Sequence, residues 1–355
     1  MKLDVIKHRH IYLSLSALVI GIGLVGMLLC GHRFGFPLRP SVDFTGGTRL
    51  SVVLVCANPP QDCGQPIDLE KLRAQLASQN YEKLTVQSAE GGRGVVVQTG
   101  DLAPTERQQL EQFLAQALQP YGTIDPNKTQ IDRVGPLISQ ELLRGGSIAL
   151  AVALLGIVLY LSVRFQPDYA VFATLALVHD VLVVSGVFAW LGLIAGVEVD
   201  SLFIVALLTI AGYSVNDTVI IYDRIRENLK QQSAPKPPPA ESVPGMPTEP
   251  ASIVSTEPAS IVSTELVEVG AKPSPAVEAQ AFHQVVNFSV NQTLTRSVNT
   301  TLTTILPLLA VLLFGGATLK FFALALLVGF IAGTYSSIFN ATILLAWWRT
   351  RQVMA

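Results

Sequence analysis

Six long stretches of this chain contain almost no charge, and they constrain its fold more than any other feature. Ile11–Cys30 has no charged residue. Gly145–Val163 lies between Arg144 and Arg164, and Tyr169–Val197 is interrupted only by His179 and Asp180. Ser201–Ile221 contains Asp217, Ser297–Leu319 lies between Arg296 and Lys320, and Phe321–Trp348 runs on to Arg349. Each is about the 20 residues that a helix needs to cross ~30 Å of hydrocarbon. Half of the 355 residues are hydrophobic, only 14% are charged and the mean hydropathy is +0.46. An ordinary soluble chain carries roughly a quarter charged residues. The expected architecture is therefore a polytopic α-helical membrane protein with spans at 11–30, within 145–222 (helices 2–4) and within 293–348 (helices 5 and 6).

Lysine and arginine near the span ends set the orientation. Lys2, Lys7 and Arg9 precede the first span, and Arg164 separates the second from the third. Arg224, Arg226 and Lys230 follow the fourth, while Arg349 and Arg351 follow the sixth. With six spans these groups share one side, the cytoplasm, together with the tails 1–10 and 349–355 and the loop 223–292. The first run is read as a retained anchor, because it is long for a signal peptide and no A-x-A site follows it. A net charge of −2 points to no nucleic-acid partner.

Residues 31–144 fall on the opposite side and suffice for one small domain. Thr48–Val55 alternates as a strand does, and Asp68–Gln79 has helical spacing with Asp68 placed to cap it. Lys83–Ser88 and Gly94–Gln98 read as strands joined by a turn. Thr105–Leu118 is a second helix and Thr129–Val134 a last strand. The order βαββαβ predicts a ferredoxin-like α+β domain between helices 1 and 2, which names a fold and no function. Cys56 and Cys63 bracket ANPPQD in this domain, where either a disulfide or two free thiols is chemically allowed. Residues 231–280 hold ten of the 21 prolines and repeat TEPASIVS, so they are expected to be a disordered cytoplasmic insert.

Ionisable groups inside spans are costly and mark candidate functional sites. Asn216 and Asp217 lie in the fourth span, Asp217 to the cytoplasmic side of its centre. Arg296 opens the fifth span within the polar stripe Thr293, Arg296/Ser297, Thr300, Thr303/Thr304 and Pro307. The fourth span runs toward the cytoplasm and the fifth leaves it, which puts Asp217 and Arg296 at similar depth, where they are expected to meet. Low dielectric disfavours a charged carboxylate and a nearby guanidinium favours it. A carboxylate under both influences can load and release a proton; the same pair can also be a static ion pair that fixes packing. His179 and Asp180 are read as an interhelical hydrogen bond and kept as secondary candidates. Asp223, Arg224, Arg226 and Glu227 read as a solvated helix end, and Gly329–Gly333 as a small-residue packing spacing. Walker A, zinc-type and Ser-His-Asp patterns are absent from the sequence, so no enzyme activity, metal or cofactor is called for.

VDFTGGT (Val42–Thr48), VGPLISQEL (Val134–Leu142), RFQPDYA (Arg164–Ala170), LVHD (Leu177–Asp180), GYSVNDTVIIYDRIREN (Gly212–Asn228) and NQTLTRSVNTTLTT (Asn291–Thr304) with FGG (Phe314–Gly316) closely resemble SecF members of the SecD/SecF protein-export family. The resemblance covers nearly the whole chain except 231–280, a connection that is usually short in the family. It implies a six-helix half of an RND-type assembly in the bacterial inner membrane, with SecD as the other half. It further implies action with the SecYEG channel and SecA on translocating preproteins, driven by protons. The family's ND and TLxR motifs match Asn216-Asp217 and Arg296. Two alternatives stand beside it: a half-size RND-type exporter of a lipid or small hydrophobic molecule, and a scaffold that transports nothing.

Overall fold

The computed structural model describes residues 3–55, 67–77, 84–89, 93–126, 129–233 and 274–354. Cys56, Cys63 and residues 234–273 of the proline-rich insert lie outside them. The chain divides into two compact units: Met1–Leu24, Ala153–Val184 and Ala206–Ala355 form one, and Val25–Val152 with Ser185–Val205 form the other.

The second unit holds the small domain. Its elements are α2 (Val42–Thr45), β1 (Gly47–Val55), α3 (Leu69–Ala77), β2 (Thr85–Ala89), β3 (Gly94–Thr99), α4 (Pro104–Leu118), β4 (Thr123–Ile124) and β5 (Gln130–Val134). The sheet runs β2-β3-β1, with β4 and β5 both pairing with the other edge of β1, and every pair is antiparallel. This is the split-βαβ arrangement, with β1 between β3 and β5. Its core is made where the two-residue period of the strands meets the helical period: Leu50, Val52, Leu54, Val86, Val95 and Val97 pack with Leu72, Leu76, Leu110, Leu114 and Leu118. Asp68 caps α3, its Oδ1 accepting from the Glu70 and Lys71 N–H groups at 3.1 Å. The short elements α2 and β4 extend the predicted order.

Among the described residues, six helices are long and apolar enough to cross a membrane: α1 (Arg9–Phe34), α5 (Pro136–Arg164), α6 (Pro167–Ile194), α7 (Ser201–Ser233), α8 (Pro275–Phe314) and the run formed by α9 (Ala317–Tyr335), a π-helical segment (Ser336–Ala341) and α10 (Thr342–Met354). The helices exceed the predicted spans because polar turns continue past the apolar stretches. Thus α7 runs on to Ser233 and α8 starts at Pro275, so 231–233 and 275–280 are helical rather than part of a disordered insert. Pro275 suits the start of α8, where a missing N–H costs nothing.

The apolar stretches of α6, α7 and the α9–α10 run are about half buried, while those of α5 and α8 are largely exposed; the N-terminal half of α8 buries Val285, Val286, Ser289 and Val290. The core of the first unit gathers Tyr169, Phe172, Leu177, Ala211, Tyr222, Ile225, Val286, Ile338 and Leu345. Charges close its polar end, where Arg349 reaches Asp168 Oδ2 at 2.7 Å and Arg164 reaches Asp223 Oδ2 at 2.7 Å.

Candidate functional site

The site grows from a close helix crossing. A side chain on Gly329 would overlap Ile210, and one on Gly333 would lie 3.1 Å from Ser214 Cβ, so α9 approaches α7 closely only because both positions are glycine. At that separation, short hydroxyl side chains reach across.

Thr334, next to Gly333, donates to Asp217 Oδ2 at 3.3 Å. Thr334 Oγ1 in turn lies 2.6 Å from Thr301 Oγ1 of α8, which lies 3.0 Å from the Tyr213 hydroxyl of α7. Thr301 has one proton and also donates to the Ser297 carbonyl of its own helix at 2.8 Å; when it turns to Thr334 instead, Tyr213, Thr301 and Thr334 form a relay ending on the carboxylate. Asp217 is 2% exposed, whereas its neighbour Asn216, turned about 100° around the helix, is exposed.

Arg296 is exposed and acts on Asp217 by charge across a gap; among the described residues the two form no ion pair within 4.0 Å. The polar stripe of α8 divides into two faces. Thr293, Ser297 and Thr301 are buried at four-residue spacing, while Arg296, Thr300 and Thr303 are exposed. Thr300 donates to the Arg296 carbonyl at 2.9 Å, and the half-buried Thr304 donates within its own helix to Thr301 O at 2.9 Å. Neither touches Asp217. Ser297 is 1% exposed and its hydroxyl has no partner among the described residues.

A second carboxylate lies on the same crossing. Asp180 is fully buried; its Oδ1 is 2.9 Å from His179 Nδ1, and its Oδ2 accepts from Ser336 at 2.8 Å and from Ser214. Ser337, one residue on, bonds Thr218 Oγ1 at 2.7 Å and Ser214 O at 3.2 Å. Ser336 and Ser337 open the π-helical segment. Such widened turns recur at functional sites, and here the segment turns two consecutive serines inward. Asp180 thus joins three helices with both oxygens satisfied, as expected of an interhelical hydrogen-bond centre.

Sequence reasoning missed Thr301, Thr334 and Ser336. Their only signal was polarity within an apolar run, and a threonine that bonds its own helix i−4 carbonyl gives the same signal.

Residues 114–239 and 274–351 match the family model described as protein export membrane protein SecD/SecF, C-terminal. The chain is 42% identical to a protein translocase subunit SecF of Synechocystis sp., over 98% of this chain and 95% of that relative. It is 34% identical to a protein translocase subunit SecF of Prochlorococcus marinus, over 94% and 92% of the two chains. The crystal structure of SecDF, a translocon-associated membrane protein from Thermus thermophilus, superposes with a TM-score of 0.71 at 29% identity. That match covers 98% of this chain and 39% of the solved one. With its six apolar helices, its split-βαβ domain and its matched motifs, this chain is a multi-pass membrane protein that belongs to the SecD/SecF family of protein-export membrane proteins.

Proposed function

We propose that the chain is the SecF-like half of a proton-driven accessory complex for protein export, with a SecD-like chain as the other half. Asp217 takes up a proton and gives it back as the helices around it shift. The observation that carries this reading is a buried carboxylate in a membrane helix that receives a hydroxyl relay and feels a guanidinium without being locked to it. A locked ion pair would hold its charge permanently. A carboxylate set apart from its cation can be neutralised, and protonation reverses the Thr334 hydrogen bond so that the acid becomes the donor. Moving one charge through 100 mV supplies about 2.3 kcal/mol, comparable to remaking two or three net hydrogen bonds at ~1 kcal/mol each.

The complex is proposed to sit in the bacterial inner membrane with both termini cytoplasmic. It acts on preproteins emerging from the SecYEG channel after SecA has driven them in, and it works as a transporter subunit rather than an enzyme. The test is proton flux through the reconstituted two-chain complex in vesicles under an imposed potential. Asp217→Asn should remove the flux, and Arg296→Ala should lower it at least tenfold. Unchanged flux in both variants would refute the assignment.

A further inference from the structure

Glu198 lies in the short connection between α6 and α7, and its side chain is only 6% exposed. Its Oε1 accepts from Gln87 Nε2 at 3.1 Å and lies 3.3 Å from Arg39 Nε, while Oε2 accepts from Gln98 Nε2. Gln87 belongs to β2 and Gln98 to β3. Both alternate with the core residues Val86 and Val97, so they project from the sheet face opposite α3 and α4.

Arg39 comes from the segment after α1, and the backbone there is stitched to the same connection. Val199 N–H donates to Arg39 O and Ser41 N–H to Val199 O, both at 2.9 Å, around a parallel bridge between Pro40 and Val199. Four residues beyond Arg39, Asp43 Oδ2 accepts from Ser201 N at 3.0 Å and Ser201 Oγ at 2.7 Å, at the start of α7. That is the position where a carboxylate satisfies otherwise unpaired helix donors. The VDFTGGT motif therefore supplies a helix cap from a distant part of the chain.

Burying a carboxylate costs free energy that an apolar contact between the same surfaces would not incur. What the charge adds is directionality, because three donors from three separate segments converge on one pair of oxygens. We infer that Glu198 is a positioning residue for export: it clamps β2, β3 and the Arg39–Asp43 segment to the residues that start α7, so that displacement of this helix is passed to the sheet. The inference rests on the reading that Asp217, carried by the same α7, is the proton site.

The test uses the full chain assembled with its partner. Glu198→Ala and Glu198→Gln are assayed for completion of preprotein translocation under a proton-motive force, with hydrogen exchange of the β1 and β3 amides followed in parallel. The expected result for Glu198→Ala is at least a fivefold loss of stimulated translocation with β1 and β3 protection retained. Glu198→Gln, which keeps an acceptor oxygen and loses the charge facing Arg39, should fall between Glu198→Ala and the parent. Unchanged translocation in Glu198→Ala overturns the clamp. Loss of sheet protection together with translocation also overturns it, since Glu198 would then only hold the fold. Asp217→Asn is run alongside: if it is silent while Glu198→Ala impairs translocation on an intact sheet, the proton reading fails and the clamp stands.

Discussion

At the scale of single residues, Asp217 depends on one short hydroxyl, and that dependence is measurable. Thr334→Val keeps the shape of the side chain and removes the donor to Asp217 Oδ2. Proton-stimulated translocation should fall about fivefold, the equivalent of ~1 kcal/mol for one net hydrogen bond. Ser297 provides the contrasting case. Its buried hydroxyl has no partner among the described residues, and an unpaired buried polar group costs ~1–3 kcal/mol. Ser297→Ala should therefore leave the thermal midpoint unchanged or raise it; a lower midpoint would show that the hydroxyl contributes to packing. The ionisable residues were legible in the sequence because charge inside an apolar run is conspicuous. The separation of Arg296 from Asp217 was not, because a four-residue spacing fixes a shared helix face and says nothing of how that face is turned.

Helices and strands were legible wherever their period repeats several times. In the small domain the predicted helix and strand order survives with boundaries shifted by one or two residues, whereas α5, α7 and α8 run past the predicted spans by nine residues or more, because polar turns continue them. The elements that went unseen, α2 and β4, span four and two residues, too few for a period to repeat. The π-helical segment was invisible for a different reason, since its extra residue per turn is imposed by packing. Gly47 sets the start of β1: its φ of +128° lies where L side chains are strained, and a Cβ there would collide with the Thr99 carbonyl. Gly47→Ala should destabilise the sheet by at least ~1–3 kcal/mol, seen as faster exchange of the β1 and β3 amides. The sheet also has an acid limit. The hydrogen bond from Arg133, at 2.8 Å, holds the Asp101 carboxyl below the usual carboxylate range. A carboxylate lowered by folding stabilises the fold above its unfolded value of about 3.9 and loses that contribution as pH falls through the lowered value. Both groups are partly exposed, so the effect is small. Asp101→Asn should flatten the fall in the urea midpoint of the sheet between pH 5 and pH 3.

Taken as a whole, the molecule carries a polar surface that lipid does not satisfy. Arg296 and Asn299 are exposed along α8 within a span long and apolar enough to cross a membrane, beside Thr300 and Thr303, whose hydroxyls donate to carbonyls of their own helix. Uncovered charged and amide side chains at membrane depth are costly, so this face of α8 is where the proposed SecD-like chain would pack. Cysteines placed at Thr300 and Thr303 should crosslink to the SecD-like chain in native membranes; labelling by lipid-soluble reagents alone would argue that this face meets lipid. The central claim is that a proton on Asp217 drives export. Its most direct test is the completion of preprotein translocation by the complex with Asp217→Asn, once co-purification has shown that the two chains still assemble. The account predicts that stimulation by the proton-motive force disappears while the complex persists. Stimulation equal to that of the parent protein would contradict it and make Asp217 a structural residue.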